Sequence, residues 1–296
     1  MNVLIAGSSG LIGTALKEKI KKKHNVYFLS RDYSKISEFY WNPEKEEFKW
    51  NENIKIDVVI NLCGENIAKK RWDKNFKKII FESRIKTTKL LSRQISNLTY
   101  KPTLFISSSA IGYYGDNSDD VVDESSSPGN DFLSELSIDW EKATSLAEDA
   151  KIRTIYLRTG IILSPNGGAL KKMLPAFKLG LGSIFGKGNQ LMNWISLNDA
   201  VNAIIFMIEK GNMYGAINLV TPNPETNLNF SKMLGKSINR PVFFKIPRWV
   251  ARVIFGEMAE PLFFSNIKVE PGYLKKNGFK YENLDLQDTF NNFFIK

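Results

Sequence analysis

The 296-residue sequence contains one histidine, His24, and one cysteine, Cys63. One cysteine cannot form an internal disulfide, and one Cys with one His cannot complete a structural zinc site of the usual Cys/His kind. A Ser-His-Asp or Cys-His apparatus has only His24 to draw on, and His24 ends the run KKKH just before a strand-like segment. That is the pattern of a solvated helix C-terminus, where cations are favoured, and it argues against histidine-based hydrolysis. Long apolar runs are also missing. The longest, such as Ala203-Ile204-Ile205-Phe206-Met207-Ile208, fall far short of the ~20 residues that span a bilayer. The opening MNVLIAGSSG runs from strand to glycine turn with no basic n-region, extended apolar stretch or cleavage site. A cytoplasmic protein with no membrane partner is therefore expected.

The composition itself, 43% hydrophobic and 24% charged, is that of an ordinary globular chain with one large domain or two unequal ones. Lys and Arg number 41 against 31 Asp and Glu, a net charge of +10 that raises the question of nucleic acid. The lysines fall in short runs along the chain (Lys21-Lys22-Lys23, Lys69-Lys70, Lys171-Lys172, Lys275-Lys276), without an aromatic-interleaved stripe or a nucleic-acid motif. A Lys-, Asn- and Ile-rich compositional bias accounts for them, so no nucleic-acid partner is expected. The acidic stretch Asp116, Asp119, Asp120, Asp123, Glu124 lacks a glycine-anchored calcium loop, and it reads as solvated with no metal.

Short β-branched runs alternate with helical patterns through the first half, which predicts βαβ units and a parallel sheet covered on both faces. Strands are expected at 3–6, 26–29, 57–62, 103–107 and 154–157. Helices are expected at 14–22, over the periodic run from Phe76 to Leu98, at 132–149 and around Val201 to Ile208. Beyond about residue 163 glycines punctuate the chain and strands thin out. The expected organisation is an α/β, doubly wound domain of residues 1–163 plus about 196–221, with a smaller lobe from about 164–195 plus 222–296.

Gly7-Ser8-Ser9-Gly10-Leu11-Ile12-Gly13 joins the first strand to the first helix. In such a loop the first glycine permits the tight turn and the second lets the backbone approach a pyrophosphate. The third lets the helix pack on the strand, and the helix N-terminus offers free N–H groups. The second strand ends in Ser30-Arg31-Asp32. An acidic residue there accepts ribose hydroxyls, whereas an arginine accommodates a 2′-phosphate. Arg31 comes first past the strand, which favours NADP(H) over NAD(H), with Asp32 as the competing signal.

With Asn61-Leu62-Cys63-Gly64 and Ser107-Ser108-Ser109-Ala110 after later strands, the pattern resembles the extended short-chain dehydrogenase/reductase superfamily. The segments GENIAKKRW (64–72), SSSAIGYYG (107–115), LRTGIIL (157–163), GGALKKMLPAFKLGLG (167–182) and WISLNDAV (194–201) narrow the resemblance. They are similar to an atypical branch of that superfamily, the NAD(P)-dependent epimerase/dehydratase-like group of epimerase family proteins. The resemblance spans nearly the whole chain and implies a Rossmann-type fold binding NADP(H), with a small C-terminal α/β substrate lobe.

It further implies that residues Gly7, Ser8, Ser9, Gly10, Leu11, Ile12 and Gly13 hold the pyrophosphate and that Ser30 and Arg31 hold the 2′-phosphate end. Leu62, Cys63 and Gly64 would line the adenine-ribose side, Arg84 and Ser107 would reach the cofactor, and Ile162 would lie near the nicotinamide half. Cys63 is read as a small buried hydrophobe rather than a reactive thiol. The chemistry departs from the superfamily. Its members use a serine with a Tyr-x-x-x-Lys pair, in which the lysine lowers the phenol pKa. Ser109 matches the serine, but the expected Tyr and Lys positions hold Leu133 and Ser137. Ser109 with Tyr113, or with its neighbour Tyr114, is left as the proton-handling candidate. Lys172, Lys178, Gln190, Trp194 and Asn198 are further polar candidates in the second lobe. An epimerase-like oxidoreductase acting on a small polar or sugar-like substrate, and a non-catalytic NADP(H)-binding regulatory or interaction protein, both remain open. Beyond a small-molecule substrate, a homodimer is the one partner left open.

Overall fold

The computed structural model describes residues 1–31, 39–116 and 121–295. The apolar run after Met1 forms β1 (Asn2–Ala6), and the glycine turn leads into α1 (Leu11–Ile20) and β2 (Asn25–Leu29). A hairpin, β3 (Phe39–Asn42) and β4 (Glu47–Trp50), precedes β5 (Val58–Asn61) and the long α2 (Lys74–Ser96). β6 (Leu104–Ala110) ends in a 3-10 turn at Ile111–Tyr114, followed by β7 (Val121–Val122), α3 (Phe132–Lys142) and α4 (Ser145–Asp149). β8 (Arg153–Thr159), β9 (Ile161–Leu163) and α5 (Gly168–Lys178) come next, then β10 (Ser183–Phe185), β11 (Leu191–Met192), β12 (Trp194–Ser196), α6 (Leu197–Glu209) and β13 (Gly215–Leu219). The chain closes with β14 (Glu225–Thr226), α7 (Asn227–Ser237), β15 (Phe244–Ile246), α8 (Arg248–Phe255), β16 (Lys268–Val269), α9 (Gly272–Lys276) and α10 (Leu286–Phe294).

Six strands form a parallel sheet in the order β13-β8-β6-β5-β1-β2. Alternate residues bury opposite faces. Val3, Ile5, Ile60 and Ile106 pack against Leu16 of α1 and Ile204 and Met207 of α6. Leu4, Val59 and Phe105 pack against Leu91 and Ile95 of α2. The chain moves outward from β1 to β2, then returns past β1 to β5. This reversal opens a crevice at the carboxyl ends of β1 and β5, where open α/β sheets bind ligands. A separate apolar cluster joins Leu163, Leu170, Phe177 and Trp194 to Phe230 and Phe290 of the C-terminal helices. Among the described residues no helix is long and apolar enough to cross a membrane.

Two local expectations are corrected, and one element is added. α1 begins at Leu11 rather than at 14, because Gly10 already has N-cap geometry (φ −72°, ψ 173°). The helix expected over 132–149 breaks after Lys142, where the Thr144 N–H and Oγ1 both donate to the Glu141 carbonyl, at 3.1 and 2.7 Å, a tightened turn that separates α3 from α4. Between β2 and β5 stands an aromatic hairpin that was not anticipated. Its Phe39 and Trp41 are buried against Leu4 and Val59, with Trp50 edge-on to Phe39 at 5.0 Å, so β3 and β4 cover a stretch of sheet that a crossover helix usually covers.

Candidate functional site

The glycine loop rises from β1 into this crevice. Gly7 has φ +82°, a conformation that L side chains rarely adopt, and a Cβ there would lie 2.8 Å from the carbonyl carbon of Leu62. A Cβ on Gly13 would lie 2.3 Å from the Gly7 carbonyl oxygen, so the helix can approach the strand this closely only with glycine. Gly10 donates its N–H to Gly7 O at 3.1 Å and starts α1 with no side-chain cap. By contrast α2, α3, α6 and α7 are each capped by a side chain (Asp73, Asp131, Ser196 and Thr226). Thr14 N makes the first helical bond, to Gly10 O, leaving the amides of Leu11, Ile12 and Gly13 directed to the crevice side of the turn. Ser8 contributes its carbonyl to Thr14 Oγ1, and Ser9 is exposed. The start of α5 meets the same place, since Gly167 and Gly168 abut the Leu11 side chain and Gly168 also approaches the Ile162 carbonyl.

At the β2 side, the backbone of Ser30 is tied to the hairpin by Trp41 N at 3.0 Å, and Arg31 follows it exposed. Asp32 lies outside the described residues. Burial pushes the Cys63 thiol up to about 12, and the nearby Arg31 charge pulls it only partly back, so Cys63 is an inert packing residue beside Arg31. Gly64 lies flat against the Arg84 guanidinium, with the site of a Cβ 3.2 Å from Cζ. Arg84 is buried, which draws it down to about 10. It donates to Ile80 O and Glu65 O, both at 3.0 Å, and stacks over Trp140 at 5.0 Å. It therefore fixes the loop after β5, with one donor on each terminal nitrogen held by a carbonyl.

Ser107 and Ser109 point to one side of β6, toward α2 and α3. Ser107 Oγ is buried with no hydrogen-bond partner among the described residues. Ser109 Oγ donates to Glu141 Oε1 at 2.7 Å. Glu141 in turn accepts from Arg158 Nε at 2.8 Å and Nη2 at 2.9 Å, a two-pronged pair in which Arg158 is only 4% exposed. Burial lowers the Arg158 pKa, but the contacts with Glu141 more than offset this and raise it overall. Arg158 Nη1 also donates to the Tyr114 hydroxyl at 3.0 Å, and that hydroxyl donates to Asn218 Oδ1 at 2.7 Å. Burial pushes the Tyr114 phenol up to about 12 against the pull of Arg158, so Tyr114 is a structural group. Tyr113 lies with its ring 3.4 Å from Arg158 Cζ, and its hydroxyl makes no hydrogen bond among the described residues.

Leu133 and Ser137 hold the positions at which the sequence resemblance leads one to expect a tyrosine and a lysine. Leu133 packs on Gly112 at the end of β6, and Ser137 Oγ is spent on the Leu133 carbonyl at 2.8 Å. Glu141 and Arg158 were not singled out from the sequence. The available signal was a charge, Arg158, directly after the apolar Leu157 in a strand-like run, which demands a partner once buried.

A cavity of about 640 Å³ opens beside Leu133, lined by Trp72, Asp116, Asp131, Phe132, Arg248, Arg252 and Glu260 among others. Glu260 bridges Arg248 and Arg252, so the cavity's arginines are already neutralised in part. Of the polar candidates in the second half, most serve the fold. Gln190 Nε2 donates to two carbonyls, Trp194 Nε1 donates to Asn223 O, Asn198 bonds Glu282, and Lys172 Nζ donates to Ala68 O. Glu124 is not solvated as expected, because its carboxylate accepts the N–H groups of Asn218 and Tyr273. Among the described residues no group of His, Cys, Asp and Glu forms a metal cluster.

The family model for the NAD dependent epimerase/dehydratase family matches residues 3–219, and one for a domain of unknown function (DUF1731) matches 246–293. Epimerase family protein Mb2239 of Mycobacterium bovis is 41% identical over 283 residues, covering 95% of this chain and 93% of that protein. Mouse epimerase family protein SDR39U1 is 34% identical over 297 residues, 97% of each chain. The crystal structure of human epimerase family protein SDR39U1 (isoform2) with NADPH superimposes with a TM-score of 0.89 at 30% identity over 99% of both chains.

Proposed function

The chain belongs to the NAD dependent epimerase/dehydratase family, and from that premise we propose that it binds NADP(H) and acts as an epimerase-like oxidoreductase on a small polar or sugar-like substrate. The residues fit the cofactor. Gly7, Gly10 and Gly13 form a cradle that any Cβ at the first or third position would fill, beneath an uncapped helix start, and Ser107 Oγ is an orphaned buried hydroxyl on the same crevice. In this reading the loop from Gly7 to Gly13 takes the pyrophosphate, Ser30 and Arg31 take the 2′-phosphate, and Leu62, Cys63 and Gly64 line the adenosine side. Arg84 fixes that side from behind, and Ile162 flanks the nicotinamide half. Residues 1–163 with 196–221 carry the cofactor, and 164–195 with 222–296 build the substrate side around their own apolar cluster. The nucleotide of the human relative's crystal structure supports the choice of NADPH.

The bound nicotinamide supplies hydride exchange; positioning and proton handling fall to this chain. The observation that carries the enzyme reading is the Ser109–Glu141–Arg158 array. A carboxylate accepts hydrogen bonds only, so the Ser109 hydrogen is committed to Glu141 and Oγ is left as an acceptor. Ser109 is thereby set to receive the O–H of a substrate alcohol. Tyr113, whose hydroxyl is uncommitted, handles the proton. The substitution of Leu133 and Ser137 for the usual pair favours the second reading, a binding protein that senses NADP(H) without turnover.

Absorbance of the reduced nicotinamide, followed across a panel of carbonyl compounds and nucleotide sugars, separates the two. Turnover lost in Ser109→Ala and lowered at least tenfold in Tyr113→Phe is the expected result; tight NADPH binding with no turnover on any compound would leave the sensor. Arg31→Ala is expected to weaken NADPH by roughly tenfold or more, the worth of one charge-assisted contact, while sparing NADH. An unchanged NADPH-to-NADH ratio would remove Arg31 from the 2′-phosphate site.

A further inference from the structure

The charge of the protein is concentrated. The stretches 168–190 and 226–256 together hold ten Lys and Arg residues and no Asp or Glu, a surplus equal to the +10 of the entire chain. The fold joins the two stretches: β10 pairs in parallel with β15, Ser183 beside Phe244, and Arg240 Nε donates to the Lys178 carbonyl at 2.8 Å. The same surface is apolar where it should be polar. Phe243 is 78% exposed, Trp249 69% and Val253 67%, and Leu181, Phe244 and Ile254 on the same segments are exposed as well.

The orientation follows from packing. α8 turns Ala251 and Phe255 inward, Phe255 meeting Phe185 and Phe263. Trp249 and Val253, four residues apart, form the opposite ridge. The register of β10 with β15 puts Phe185 and Phe244 on one face of that small sheet, the face on which α8 lies, so Phe244 and the outer ridge of α8 share a side. Lys178 and Lys187 stand exposed on the segments that enter and leave β10, and neither side chain has a hydrogen-bond or ion-pair partner among the described residues.

We propose that this face seats the protein peripherally on an anionic lipid surface. A second copy is disfavoured, because a two-fold contact would set the basic face against itself. Nucleic acid matches the charge and could stack on Trp249, but it offers nothing to Val253, Ile254 and Leu181. The headgroup–acyl boundary accepts all of these groups: aromatic rings at the interface, aliphatic side chains below it, and lysines among anionic headgroups. The lack of long apolar runs bears on spanning a bilayer, not on resting against one, so it does not oppose this placement. Arg248 and Arg252 of α8 also line the cavity, and docking brings its mouth to the headgroup layer.

Sedimentation of the full chain with vesicles tests this. Vesicles of phosphatidylglycerol and phosphatidylcholine are expected to bind at least tenfold more protein than phosphatidylcholine alone, and less as salt rises. The combined Lys178→Gln and Lys187→Gln variant should lower partitioning by roughly 25-fold, from about fivefold per basic residue. Trp249→Asp with Val253→Asp should abolish the portion that survives high salt, and the exposure of all four positions keeps these variants folded, as circular dichroism would verify. Three results overturn the proposal: equal recovery with both vesicle types, capture of a single-stranded oligonucleotide without vesicle binding, or a dimer that Trp249→Asp dissociates.

Discussion

Gly13→Ala is expected to lose both NADPH binding and thermal stability, whereas Gly10→Ala is expected to lose affinity while melting close to the parent. The two glycines sit three residues apart in one loop, but their surroundings differ. An alanine Cβ at position 13 would stand 2.3 Å from the Gly7 carbonyl oxygen and 2.8 Å from Ser8 Cα, both backbone atoms that cannot swing aside. Relief requires α1 to lift off β1, which disturbs the packing of Leu16 on Ile5. Overpacking of this kind costs about 1–3 kcal/mol. The lift also displaces the amides of Leu11, Ile12 and Gly13, and losing two charge-assisted bonds to a pyrophosphate weakens binding on the order of 100-fold or more.

At position 10 the backbone is in an ordinary extended conformation, and the added Cβ meets only Gly7 O at 3.3 Å. The fold therefore tolerates alanine there, and the penalty falls on the ligand's approach. Titration of NADPH by fluorescence, paired with thermal melts of both variants, reads the two effects separately. A Gly10→Ala protein that binds NADPH like the parent would refute the placement of the pyrophosphate over this loop.

The parts of the fold visible in the sequence are those with a local physical cause. The strands at 3–6, 26–29 and 57–62 show as continuous apolar runs because a parallel sheet buries both faces, and the helix from Phe76 to Leu98 shows its three- and four-residue spacing over more than five turns. The glycine loop was legible because steric need leaves its mark on residue type. The β3–β4 hairpin was missed although Phe39, Trp41, Phe48 and Trp50 alternate across a turn at 42–47, because each of its strands is only four residues long. The break at Thr144 was not legible, since a hydroxyl that turns back onto the Glu141 carbonyl leaves no mark on the spacing of the apolar residues. Within the site the cofactor half is written in one contiguous loop and two strand ends. The ion pair beneath Ser109 joins residues 141 and 158 from a helix and a strand, and only their folded proximity reveals it.

Glu141→Gln is expected to destabilise the protein by about 3–5 kcal/mol, the penalty for stranding a buried charge that has lost its partner. Arg158 stays ionised in every accessible pH range, so removing the carboxylate does not remove the need to compensate the guanidinium. Tyr114 receives one of its N–H groups, but the remaining donors would face an amide that offers a single acceptor oxygen where two carboxylate oxygens stood. Replacing both members, Glu141→Leu with Arg158→Met, takes the charge away along with its partner, and is expected to recover most of the loss. Chemical denaturation of the two variants measures this difference. Catalysis should not recover with stability. In the double variant Ser109 has no carboxylate to hold its hydrogen, its hydroxyl rotates freely, and the acceptor set toward substrate is lost. A folded but inactive double variant that still binds NADPH therefore assigns Glu141 and Arg158 the positioning of Ser109. A double variant with parental turnover would show that the pair serves the fold alone, and that Ser109 needs no orienting partner.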